Sequence, residues 1–301
     1  MLDPHGLYEL ADDLPELDGV VLVQALTGFV DAGSAIQLAR EHLLEQFGGR
    51  VLATFDLDQL LDYRSRRPPM IFVEDHWESY EQPSLALHLL NDLTGTPFLL
   101  LAGPEPDLHW ERFIKAVRAL IERFGVSLTI GLNAIPMAVP HTRPVSVTAH
   151  ATDQRLLGER ESWLQRVQVP ASVGNLLEFR LGQAGHDAMG YAAHVPHYLA
   201  QTTYPAAAEL LVESVANTTG LVLPTAALHE AATEVREEID KQVADDEQAG
   251  RLVTSLEAQY DAFLRGRAGN LLAEPSGALP SADELGAELE RFLAEQARDG
   301  E

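Results

Sequence analysis

The chain has no cysteine. That absence excludes disulfides, a thiolate nucleophile and cysteine-held zinc or iron–sulfur clusters, so a metal would have to sit on His, Asp or Glu. Basic residues are scarce as well, 21 against 46 acids in 301 residues, for a formal charge of -25. Such a charge repels phosphate backbones and anionic membrane surfaces, which argues against nucleic acid as a partner. Lysine occurs only at Lys115 and Lys241. Neither lies in a glycine-rich loop, and no GxGxxG or Walker A pattern is present, so dinucleotide and P-loop nucleotide chemistry are disfavoured. Long apolar runs are also missing. "VVLVQAL" and "PFLLLAG" fall well short of the roughly 20 residues of a membrane helix. The acidic opening "MLDPHGLYELADDLPELDG" lacks the positive region and apolar core of a secretory signal. A cytoplasmic protein without membrane insertion is expected.

What is present reads as alternating strands and helices. "GVVLVQAL" (19–26) is a short continuous apolar run bounded by turn formers, which suits a strand covered on both faces. Residues 32–47 place Ala35, Ala39, Leu43 and Phe47 on one helical stripe. "RVLATFDLD" and "PPMIFVED" read as strands, 83–93 ("LALHLLNDL") as a short helix, and "TPFLLLAG" as a strand. Residues 108–124 follow as a helix, with Trp110, Phe113, Ile114, Val117, Leu120, Ile121 and Phe124 at helical spacing. "VSLTIGL" (126–132) and "PVSVTAHAT" (144–152) are further strands, and 153–169 is a possible hairpin insertion. "SVGNLLEFRL" then reads as a helix, "HDAMGYAAHVP" as a strand and 205–219 as a helix. Alternation of this kind predicts an α/β fold, a mostly parallel sheet flanked by helices.

The α/β core is placed at 1–223. Residues 224–301 form an acidic helical C-terminal extension, possible as a lid. Within it, two helices break near Gly250, 267–280 is a linker, and a last helix at 281–297 starts from a Ser281 cap. From 227 onward the chain has 18 acids against 7 bases.

Polar clusters follow several strands directly, and in an open parallel sheet the strand ends line one ligand-binding edge. Three readings of "GFVDAGSA" stay open. Asp31 can cap a helix, the loop amides can cradle an anion, or Asp31 can act as a base. "RSRRPP" is either a solvated loop or an arginine clamp for phosphate or carboxylate. "GPEPDLHW" offers Glu105 and Asp107, with a turn in which Asp107 caps the helix anchored by Trp110 as the structural alternative. "PHTRP" brings His141 and Arg143 into a proline-bounded loop. In "HVPHYL" the spacing of His194 and His197 would put both imidazoles on one side of a helical turn. A zinc site would need a third ligand, and HExxH is absent. "PASVGNLLE" is a near miss to a nucleophile elbow, with Ser172 read as a helix cap. No metal and no cofactor is indicated.

Taken together and in this order, "GFVDAGSA", "DLDQLLDYRSRRP", "GPEPDLHWERF", "GLNAIPMAVPHTRP" and "GYAAHVPHYLA" resemble the proteasome assembly chaperone family, in particular its actinobacterial branch with a C-terminal helical extension. The resemblance covers about 18–225. It implies a core similar to nucleoside phosphorylases and related hydrolases, and a protein that works through protein partners. It marks Asp31, Gly33, Arg64, Arg67, Glu105, Trp110, Asn133, His141, Arg143, His194 and His197 as crevice candidates. The expected function is that of a non-enzymatic, chaperone-like or scaffold homo-oligomer, with a trimer favoured. The alternative is an enzyme or sensor that holds a small anionic metabolite, a nucleoside or phosphate ester, on Arg64, Arg67 and Arg143, with Asp31 or Glu105 as base.

Overall fold

The computed structural model describes residues 3–28, 30–158 and 166–270. By contact density the chain divides into residues 1–257 and 258–301, and of the second unit only the end of one helix is described. In chain order the elements are β1 (Tyr8–Leu10), β2 (Val20–Thr27), α1 (Ala35–Phe47), β3 (Arg50–Phe55), β4 (Met70–Val73), β5 (His76–Tyr80), β6 (Ala86–Asn91) and β7 (Pro97–Pro104). They continue with α2 (Trp110–Arg123), β8 (Val126–Met137), β9 (Val147–Ala151), α3 (Val173–Gln183), β10 (Ala188–Pro196), α4 (Pro205–Thr219), α5 (Ala226–Asp245) and α6 (Glu247–Asn270).

Eight strands form one sheet in the order β1-β3-β6-β7-β2-β8-β10-β9. The consecutive strands β7, β2, β8 and β10 pair in parallel. β3 runs in the same direction, because β6 lies antiparallel between it and β7. β1 and β9 close the two edges antiparallel. Five strands thus run one way and three the other, an α/β fold with a mixed sheet. Alternate residues of the central strands feed two cores. Val23, Leu100, Ile130, Leu132 and Tyr191 pack under α1, α4 and α5. Leu22, Leu99 and Leu101 pack under α2 and α3.

The segment 83–93 is not a helix. Its centre is β6, paired with β3 on one side and β7 on the other. Alanine and leucine favour helices weakly, and two flanking strands that satisfy both sides of the backbone override that preference. The turn after it is built on Asp92, which accepts the backbone N–H groups of Thr94 (2.8 Å), Thr96 (2.9 Å) and Val222 (2.8 Å). The C-terminal helices separate at Asp246 rather than at Gly250, which lies inside α6. Asp246 accepts from Gln248 N at 2.8 Å and so caps that helix. α6 also continues through 267–270, residues read from the sequence as linker. Of the expected 153–169 hairpin, Gln154–Leu156 is a single 3-10 turn, and 159–165 lie outside the described residues, as does 281–297. No helix among the described residues is long and apolar enough to cross a membrane.

Candidate functional site

The five co-directional strands end on one edge, and the loops 28–34, 56–69, 105–109, 138–146 and 197–204 gather there. In "GFVDAGSA" the acid is a cap. Asp31 accepts the N–H groups of Ile36 at 2.7 Å and Gln37 at 3.1 Å at the start of α1. Burial raises its pKa, and these N–H groups pull the other way. The two glycines make room. Gly33 has φ 68°, and a Cβ there would lie 2.7 Å from the Tyr204 Cβ. Its N–H and carbonyl bond to Ala200 and to Tyr204 across that contact, at 2.9 and 2.8 Å. A Cβ on Gly28 would stand 1.8 Å from a Glu105 carboxylate oxygen.

Glu105 is buried, and its carboxylate accepts the N–H of Val173, the first residue of α3. Its carbonyl accepts from Arg66 Nη1 at 2.9 Å, while Arg66 Nη2 meets Asp107 at 2.8 Å. Asp107 does not cap α2. It accepts from Asp62 N at 2.9 Å and fixes the arginine loop, while His109 opens the helix in the left-handed region. Trp110 donates its indole N–H to the Pro106 carbonyl at 2.7 Å. Arg66 therefore turns inward. Arg64 and Arg67 are exposed, and among the described residues neither guanidinium has a hydrogen-bonding or ionic partner.

The "PHTRP" loop holds the C-terminal helices. His141 is buried; its backbone N–H donates to the Tyr198 hydroxyl at 2.9 Å. Its Nδ1 meets the same hydroxyl at 2.6 Å, and its Nε2 meets Asp240 of α5 at 3.1 Å. One proton arrangement satisfies all three contacts, with Nε2–H donating to the carboxylate and the phenol donating to Nδ1. Arg143 Nη1 lies 3.1 Å from Glu257 of α6, which also accepts from the Thr142 hydroxyl. Beside this loop, His141, Arg143, Tyr204, Glu209, His229 and Arg236 line a groove of about 340 Å³ between α4 and α5.

His194 and His197 do not share a helical face. His194 lies in β10 and His197 opens a 3-10 turn, exposed and edge-on to Tyr198. His194 is buried, with Ser146 Oγ 3.0 Å from Nδ1 and Thr148 Oγ1 2.8 Å from Nε2. Burial lowers its pKa and keeps it neutral at pH 7. It belongs to a polar strip on the α3 side of the sheet. Register aligns His150, Gly190, Gly131 and Gln24 across four strands. Asn133 donates to Asn175 at 3.3 Å, His150 pairs with Glu178 at 2.9 Å, and Ser172 caps α3 through Asn175 N at 3.1 Å. Gln24 is only 4% exposed and reaches a cavity with about 10 Å³ of room, enough for one water centre. Among the described residues no group of three His, Asp or Glu side chains could hold a metal ion.

Eight of the eleven candidates therefore fall into four neighbourhoods, while Arg64, Arg67 and His197 lie exposed. Asp31 and Gly33 join the loop that leads into α4, His141 and Arg143 join α5 and α6, and Glu105 and Trp110 join α2 and α3. Asn133 and His194 lie on the sheet face under α3. Tyr198, Asp240, Glu257 and Gln24 carry contacts that the sequence pattern did not single out. Tyr198 and Gln24 stand inside stretches already noticed, "HVPHYL" and "GVVLVQAL", and Arg66 is the middle arginine of "RSRRPP".

This architecture is that of an α/β protein with polar loops gathered at the strand ends and helices laid beside them. Residues 25–243 match the PAC2 family model, and the chain belongs to that family. A Mycobacterium tuberculosis protein of unknown function, Rv2714, is 52% identical with a TM-score of 0.86 over 89% of this chain and 92% of its own. A Corynebacterium glutamicum protein of unknown function is 41% identical (TM-score 0.82; 86% and 98% covered). The M. tuberculosis proteasome-assembly chaperone homologue Rv2125 is 26% identical (TM-score 0.71; 78% and 100% covered). Comparison with curated proteins returns no match.

Proposed function

We propose that this PAC2-family chain is a non-enzymatic, chaperone-like or scaffold protein that works through protein partners as a homo-oligomer, with a trimer favoured. The observation that carries this reading is the use made of the polar residues at the strand ends. Asp31 and Glu105 accept backbone N–H groups, Arg66 ties two loops, and His141 and Arg143 bind the C-terminal helices. These groups serve assembly of the fold. Likeness to a proteasome-assembly chaperone homologue supports protein partners, and the phosphorylase-like core that the family implies supports a trimer. Cytoplasmic location follows from the same reading, as does a lid-like role for α5 over the crevice.

A second reading rests on Arg64 and Arg67, two exposed guanidiniums on a strand-end loop. It makes the chain a sensor or enzyme for a small anionic metabolite, a nucleoside or phosphate ester. Native mass spectrometry of freshly purified protein separates the two. The first reading expects a multiple of 32.9 kDa with no adduct. A stoichiometric extra mass that disappears in Arg67→Ala supports the second, and a monomer at all micromolar concentrations overturns the first.

A further inference from the structure

We propose that the groove between α4 and α5 is a binding site for a small monocarboxylic acid with an apolar body, its carboxylate held by the Tyr204 hydroxyl and the Arg236 guanidinium. The site lies outside the arginine loop of the second reading above, and it stands whether or not the chain self-associates.

The observation that points to a ligand is Tyr204. It lines the groove and is only 5% exposed. Among the described residues its hydroxyl has no hydrogen-bonding partner. A buried phenol normally has one, because an unmade hydrogen bond leaves the cost of desolvation unrecovered. The one fully enclosed side-chain atom without a partner among the described residues is His88 Nδ1, so the Tyr204 oxygen is not sealed in, and the surface it keeps opens on the groove. Burial and the neighbouring Tyr198 push its pKa up to about 12, with Arg236 close enough to pull the other way. At neutral pH the oxygen keeps its proton and offers the groove a donor.

The surroundings select a single negative charge. Arg236 is exposed, and its ionic contact with Asp240 is long, 3.8 Å, so the guanidinium can take a closer carboxylate at little loss. Arg143 also lines the groove but already holds Glu257 at 3.1 Å. α4 begins beside Tyr204, which supplies no side-chain cap, and Ala206 in its first turn lines the groove, so the positive end of a 15-residue helix adds to the field there. One loosely paired guanidinium and one phenol O–H match the two oxygens of one carboxylate.

The remaining lining sets the body of the ligand. Val145, Leu210, Ala232 and Ile239 give the groove apolar walls in a volume of about 340 Å³, the small end of ligand pockets. Glu209, paired with His229 at 2.9 Å, and Glu213, without a partner among the described residues, line it as well. They stand five and nine residues past Tyr204 on α4, about 8 and 13 Å at the helical rise. A second anionic group at the far end of the ligand would meet these carboxylates and be repelled. An apolar chain of about five carbons spans roughly 6 Å and stops short of them.

The test is a ligand-observed NMR titration of the full chain with hexanoate at constant ionic strength, beside hexanol and adipate. Hexanoate is expected to bind saturably with a Kd of about 1 mM. Hexanol, which lacks the charge, and adipate, which carries a second carboxylate toward Glu209 and Glu213, are expected to bind at least about tenfold more weakly. Tyr204→Phe and Arg236→Gln are each expected to weaken hexanoate about tenfold, while Arg67→Ala leaves it unchanged. Because the Tyr204 hydroxyl bonds to no described residue, Tyr204→Phe is expected to keep the ligand-free thermal midpoint, which separates its effect on binding from one on folding. Three results overturn the proposal: no saturable signal with hexanoate up to about 10 mM, equal binding of hexanol, or a loss in Arg67→Ala with none in Tyr204→Phe. A midpoint lowered in Tyr204→Phe also overturns it, since it reveals an internal partner for the hydroxyl. The number of subunits, read separately by native mass spectrometry, is untouched by any of these outcomes.

Discussion

Asp92 shows how much one buried carboxylate fixes. It joins the β6–β7 turn to Val222, just before α5. Burial alone would raise its pKa, but the N–H groups of Val222, Thr96 and Thr94 and the Thr94 hydroxyl outweigh it and hold the group at about 2. The folded state therefore binds that proton less readily than the unfolded chain, and the stabilisation is complete above about pH 4 and lost as pH falls toward 2. It amounts to about 2 kcal/mol. Asp92→Ala is expected to cost about 2–4 kcal/mol in urea unfolding, because three backbone donors lose their acceptor. His88 and His194, lowered by burial, act in the same direction at higher pH, so stability starts to fall below about pH 6.5. Asp31, raised by burial, opposes this decline in the carboxylate range. Unfolding midpoints that stay flat from pH 7 to pH 5 would contradict the histidine assignment. Gln24→Leu tests the strip under α3. Removing an amide that reaches only a one-water cavity is expected to change stability by less than about 1 kcal/mol, whereas Gly28→Ala, which drives a methyl into Glu105, costs about 1–3 kcal/mol.

At the scale of elements, the strap made by residues 140–144 is the feature to probe. Tyr198, His141 and Asp240 link the 3-10 turn after β10, the β8–β9 loop and α5 in one chain of hydrogen bonds. Tyr198→Phe leaves the buried His141 Nδ1 and backbone N–H without the hydroxyl, at an expected cost of about 1–3 kcal/mol. Asp240→Ala removes a more exposed partner and is expected to cost less than about 1 kcal/mol. Hydrogen exchange should show faster opening of α5 in both variants, with α2 unchanged; equal acceleration throughout would mean global destabilisation instead. Both partners are distant in sequence from the loop they hold, so no local pattern announces them.

For the molecule as a whole, the formal charge is -25. Self-repulsion opposes both compaction and association, and salt screens it over about 10 Å at 0.1 M. The thermal midpoint is expected to rise by a few degrees between about 0.01 and 0.15 M salt, at the few-degrees-per-kcal/mol scale of a chain this size. A midpoint that falls with salt would assign the larger share to internal ion pairs such as Arg66–Asp107 and Arg180–Glu111.

The sequence by itself determined the elements with strong periodicity or strong punctuation. Continuous apolar runs made β2 and β7 legible, the helical stripe made α2 legible, and Ser172 announced the start of α3. It also determined that the acid in "GFVDAGSA" stands where a helix begins. Only the tertiary structure decided that "LALHLLN" is a strand, because the two strands flanking it satisfy its backbone from both sides. It alone chose Arg66 rather than its neighbours to face inward, since Glu105 and Asp107 reach that point from another strand end. Local propensity is a property of neighbours along the chain; the partners that settle these cases lie tens of residues away and meet only when the sheet closes.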